Sequence, residues 1–150
     1  MRRRQTMPRQ WLIIVGYDDR IAAAARGLPR GSGILLLKPI PASAMLRLRV
    51  LTRQRGLTII VEQPRSASRV HDGHELRQAL LARSDMILLS PIHPTASHPD
   101  WKPLPRMRAA ALARLAGRRA VALGGMNARR YAKIAPLGFI AWAGTSAFRT

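Results

Sequence analysis

Short apolar runs, each closed by a turn and followed by a helical stretch, recur along the whole chain. That rhythm leaves few folds open. The runs are Trp11 to Tyr17, Ile34 to Leu37, Leu57 to Val61, the run opening at Met86, Arg119 to Leu123 and Phe139 to Ala143. Apolar runs of this length without alternation are those of strands buried on both faces, as in parallel sheets. Val70-His71-Asp72 reads as the tip of a further short strand. Helical segments lie between them: Ile21 to Arg26, Ser43 to Gln54, Asp72 to Ala82, Arg106 to Leu115 and Ala128 to Ile134. Ser43 is the expected cap of the second, and Gly27, Gly56 and Gly117 stop three of them. Strands alternating with helices predict a parallel sheet with crossover helices.

The chain's 150 residues, 47% of them hydrophobic, suffice for one domain with a real core. Met1 to Gln10 reads as a disordered basic start, and 11–150 as a single domain. There is no cysteine, which excludes disulfides and thiol chemistry and makes a cytoplasmic setting the expectation. No apolar run approaches bilayer length, so no membrane partner is expected.

Lys and Arg number 26 against 7 Asp and Glu, a formal charge of +19. Only Lys38, Lys102 and Lys133 are lysines. Such a chain attracts polyanions. The arginines are spread over the whole length rather than gathered in one stripe, which reads as a solvated surface. Seven aromatics in no stacking motif also argue against a dedicated single-strand binder. Nucleic acid is therefore not the expected partner. A basic nucleic-acid-associated protein stays open as a reading from another class.

The chemistry concentrates where strands end. Gly124-Gly125 follows one apolar run, with a helix behind it, and Gly144-Thr145-Ser146 follows the next. Glycine turns feeding a helix N-terminus let backbone N–H groups approach an anion. Two successive strands ending this way form a phosphate cup, as after the last two strands of (β/α)8 barrels. The Met86 run opens into Ser-Pro-Ile-His-Pro-Thr-Ala-Ser-His, where Thr95 and Ser97 stand two apart, and in extended chain both would face one phosphate. His98 follows as a donor toward a charged group.

These motifs, Ser90 to His98, Ala-Leu-Gly-Gly-Met-Asn at 122–127 and Trp-Ala-Gly-Thr-Ser-Ala at 142–147, resemble the thiamine phosphate synthase and thiazole tautomerase superfamily. The resemblance is specific from about Val70 to Phe148 and looser before it. It implies a TIM-type (β/α) barrel. It implies a transferase joining a hydroxymethylpyrimidine diphosphate to a thiazole phosphate, with Mg2+ assisting departure of pyrophosphate. By the same resemblance Thr95, Ser97, Gly124, Gly125, Thr145 and Ser146 hold the thiazole phosphate, and Lys38 with His98 serves the pyrimidine diphosphate.

The chain departs from that pattern in its first half. Ile34 and Leu36 replace the Gln and Arg of the second strand, and Glu62-Gln63 replaces the Asn-Asp that would hold magnesium. A neutral Gln63 is a poor ligand for a hard cation. Arg65 and Arg69 lie where they could replace some of that charge. Val61 to His71 leaves too few residues for a helix, a strand and another helix, so the barrel is expected to be shortened by one β-α unit. An unpaired edge there invites a homodimer. The tautomerase branch asks for less: a strand-end histidine before a helix Glu moves a proton, and His71 with Glu75 matches it. Synthase is the leading expectation. Tautomerase, or a phosphate binder without catalysis, is the alternative.

Overall fold

The computed structural model describes residues 6–149. Seven strands form: β1 (Gln10–Ile14), β2 (Gly33–Leu36), β3 (Thr58–Val61), β4 (Ala67–Val70), β5 (Met86–Leu89), β6 (Ala120–Leu123) and β7 (Ala141–Gly144). They pair in parallel throughout, in the order β3-β2-β1-β7-β6-β5-β4. Five helices cross over outside: α1 (Asp19–Gly27), α2 (Ala42–Arg55), α3 (Gly73–Leu81), α4 (Arg106–Ala116) and α5 (Ala128–Ile134).

Parallel pairing buries both faces of the sheet, which is why its runs are apolar without alternation. One face looks inward. Trp11 and Ile13, Leu35, Ile60, Ala67, Met86 and Leu88, Val121, and Ala141 with Ala143 pack into one interior cluster, drawing on all seven strands. The sheet is therefore curled into a shortened TIM-type barrel. The outer face packs on helices in two blocks, β1–β2 with α1 and α2, and β4–β7 with α3 to α5. Trp11 reaches this interior because position 33 is glycine: a Cβ there would lie 2.2 Å from the indole.

The missing unit falls between β3 and β4. Residues 62–66 join them without a helix, and the two strands exchange no ladder bonds. The seam is held by side chains instead. Ser66 Oγ donates to the Val61 carbonyl at 2.6 Å, and buried Ser84 donates to the Pro64 carbonyl while lying 2.6 Å from Ser68 Oγ.

Local signals placed most helix starts. Asp18, Asp72 and Asn127 cap α1, α3 and α5, each accepting a backbone N–H at 2.8 Å. Ser43 does not cap α2. It lies inside the helix, and Pro41 occupies the cap position with φ −54°, because proline's fixed φ suits a helix start and brings it forward. The extra strand is Ala67–Val70, earlier than its expected tip at Val70 to Asp72. Of the segment expected to be disordered, 1–5 lies outside the described residues, while 6–10 is anchored. Trp11 Nε1 donates to the Pro8 carbonyl at 2.9 Å, Trp142 N donates to the Arg9 carbonyl at 3.0 Å, and Gln10 opens β1. No helix among the described residues is long and apolar enough to cross a membrane.

Candidate active site

All strands run one way, so every strand-to-helix loop emerges at the same end of the sheet, the end where (β/α) barrels carry their chemistry. His71 stands there, directly after β4. Its Nδ1 is 2.8 Å from Glu75 Oε2, and the same oxygen accepts the His71 backbone N–H at 2.8 Å. Glu75 is placed by local structure: it sits in the first turn of α3, one turn from the capping Asp72. The carboxylate thus fixes the imidazole in orientation. The other ring nitrogen, Nε2, is buried and has no hydrogen-bond partner.

Trp101 covers this histidine. Its ring meets His71 edge-on, with centroids 5.5 Å apart, and stacks on His98 at 4.0 Å and 8°. His98 is exposed and carries no ion pair among the described residues. Trp101 was not singled out from the sequence. Its only signal was an aromatic residue in a loop of prolines and histidines.

The rest of that loop folds back on the β6 turn. Ile92 N donates to the Leu123 carbonyl at 3.0 Å and His93 N to the Gly124 carbonyl at 3.1 Å. Glycine is required at this contact. At Gly124, φ is +105° and a Cβ would lie 2.9 Å from Pro91 Cα; at Gly125 it would lie 2.7 Å from the Pro94 carbonyl oxygen. The glycines thus admit the neighbouring loop. Arg130 Nη1 donates to the Gly125 carbonyl. Burial holds the His93 pKa below its ordinary value, and the charges of Arg130 and Lys133 add to the effect. Neither His93 nor Arg130 was among the residues picked from the sequence.

The hydroxyls are engaged locally. Thr95 Oγ1 accepts the His98 N–H at 3.1 Å, and Thr145 Oγ1 donates to the Ile13 carbonyl at 3.3 Å. Ser97 and Ser146 are exposed. The chain bends at Ala96 and Ser97, so the same-face spacing of an extended strand does not apply there. Lys38 is exposed just past β2.

At the seam, Arg69 Nη2 donates to Glu62 Oε1 at 3.0 Å, and its Nε is 2.9 Å from Oε2. These two, with Ser68, His71 and Glu75, line a groove of about 670 Å³. The donor set does not fit magnesium. Glu62 is already neutralised by Arg69, Gln63 is uncharged, and no three acidic or histidine side chains gather among the described residues.

A shortened parallel barrel with its polar loops at one end defines the class of protein. Two solved structures share that fold. The thiamine phosphate pyrophosphorylase from Pyrococcus furiosus has a TM-score of 0.72 and 16% identity, over 95% of this chain and 88% of that one. The thiamine phosphate pyrophosphorylase from Bacteroides thetaiotaomicron has a TM-score of 0.58 and 18% identity, over 94% of this chain and 84% of that one. At these identities the likeness is one of fold. No protein-family model matches the chain, and no curated protein sequence matches it significantly.

Proposed function

We propose that this is a cytoplasmic protein of thiamine phosphate synthase type that acts on a thiazole phosphate by metal-free proton transfer, the tautomerase-like reaction. The His71–Glu75 pair carries this reading. A carboxylate 2.8 Å from Nδ1 favours the tautomer with its proton there and leaves Nε2 with a free lone pair. Nε2 then takes a proton from one position of the non-aromatic ring and returns it at another, so the substrate gains aromaticity with no net change in protons. Trp101, edge-on against the His71 ring, would give way for the substrate ring to enter. The phosphate would lie toward Gly124-Gly125 and Thr145-Ser146, with Arg130 beside it, and Thr95 and Ser97 would turn to it as the loop moves.

The test is aromatisation of the thiazole phosphate followed by NMR. His71→Asn should lower turnover by about 10² to 10⁴-fold, and a chelator should leave wild-type turnover unchanged. Full turnover in His71→Asn would end the proposal.

A second reading is favoured by the two structural neighbours, whose names are those of thiamine phosphate pyrophosphorylases. Here the protein joins a pyrimidine diphosphate to the thiazole phosphate, with Lys38, His98 and Arg69 facing the diphosphate. Pyrophosphate release from the two substrates would show it, and its loss on chelation would show that magnesium takes part.

A further inference from the structure

The helix-to-strand connections all lie at the opposite, N-terminal end of the sheet. Six of the seven strands are entered past an arginine: Arg9 before β1, Arg30 before β2, Arg55 before β3, Arg65 before β4, Arg83 before β5 and Arg119 before β6. Five of these are exposed and Arg119 is half-buried. Of the chain's 7 acids, Asp85 falls in these connections, and Glu62, at the far end of the link that carries Arg65, is paired with Arg69. Both ion pairs among the described residues are at the other end. Arginines that are far apart in sequence therefore share one face, because each β-α repeat returns the chain to the same end.

Helix dipoles do not account for the arrangement. Arg26, Arg55 and Arg114 close helices here and answer their negative ends, but Arg9, Arg30, Arg65 and Arg83 lie outside the helices. A groove of about 590 Å³ opens on this face, and Arg9, Gln10, Arg30, Ser32 and Thr58 are among its walls. Loop backbones are held by bonds such as Gly31 N to the Gly56 carbonyl at 3.0 Å and Asp85 N to the Arg65 carbonyl at 2.9 Å. The guanidiniums of Arg9, Arg30, Arg65 and Arg83 make no side-chain hydrogen bond among the described residues.

We propose that this arginine-lined N-terminal face binds the phosphate backbone of nucleic acid. Adjacent strands begin roughly 4.8 Å apart, so the cations follow an arc around the end of the curled sheet, three on each side of β7, rather than form a point site. Such an arc fits a chain of phosphates. All six cations are arginine, whose planar fork meets phosphate oxygens in pairs. A membrane surface fits less well, because among the described residues the connections offer no exposed aromatic anchor, Phe139 being buried. Exposed Leu81 and Leu115, at the ends of α3 and α4, are the feature that would favour one.

The test is fluorescence anisotropy of the full chain with a labelled single-stranded RNA and a labelled duplex DNA, over a salt series. Two variants with equal charge loss are compared. One carries Arg9→Gln, Arg30→Gln, Arg65→Gln and Arg83→Gln. The other, at the opposite end, carries Arg20→Gln, Arg108→Gln, Arg129→Gln and Arg149→Gln. The first should bind about tenfold or more weakly, with its log–log salt slope reduced by about 3, while the second stays near wild type. Unchanged thermal unfolding confirms that both variants fold. Equal weakening in the two variants, no binding at low salt, or preferential capture by phosphatidylserine vesicles would overturn the proposal.

Discussion

The two ends of the sheet are built by the same repeat and held by different means. At the N-terminal end, backbone bonds tie the loops together with help from Arg55 on the Leu28 carbonyl and Arg119 on the Ser84 carbonyl, and the side chains of Arg9, Arg30, Arg65 and Arg83 are left in water. At the C-terminal end, side chains themselves make the structure: His71 with Glu75, Arg69 with Glu62, Trp101 across two histidines, Arg130 on the Gly125 carbonyl. Charge at those four positions can therefore be changed without touching the scaffold. At the other, the groups that could do chemistry are also those that shape the loops.

The largest effect is expected where the N-terminal end closes the interior. Trp11→Ala should lower stability by about 3–5 kcal/mol in denaturant unfolding. Gly33→Ala should cost about 1–3 kcal/mol by crowding the indole, and far less in the Trp11→Ala background. Additive costs would mean the two do not meet.

Gly124→Ala tests the other end. It combines overlap with Pro91 and a left-handed φ, so a loss of about 2–4 kcal/mol is expected, together with displacement of the loop from the β6 turn. A stable variant with that loop still protected from hydrogen exchange would break the contrast.

A smaller effect should follow Trp101→Ala. Trp101 is 44% exposed, so stability should change by no more than about 1 kcal/mol. Removing the ring that packs edge-on against His71 should make the histidine react faster with diethylpyrocarbonate. An unchanged rate would mean that Trp101 does not gate the histidine.

The smallest concerns pH. The His93 pKa is lowered in the folded state from its ordinary 6.5, so the unfolded chain binds the proton more readily. Stability is then intact above 6.5 and falls as pH drops through that value toward the lowered folded pKa. His93→Gln should flatten that part of the melting-temperature profile. Neutralising N-terminal arginines should leave it unaltered.

Sequence alone determined the alternation of strands and helices, the strand cores and the absence of a β-α unit before His71. Each is written within a few residues: an apolar run, a helical period, a span too short for a helix. Tertiary structure decided the rest. Trp101 lies 30 residues from His71 in sequence, and only the fold of its loop brings them together. The hydroxyls of Thr95 and Thr145 meet the His98 N–H and the β1 carbonyl of Ile13, partners that the fold and not the spacing supplies. Arginines that look dispersed along the chain became one face, because parallel strands send every returning connection to the same end. Periodicity is a local property of the chain, whereas partnership between loops depends on contacts that no local pattern encodes.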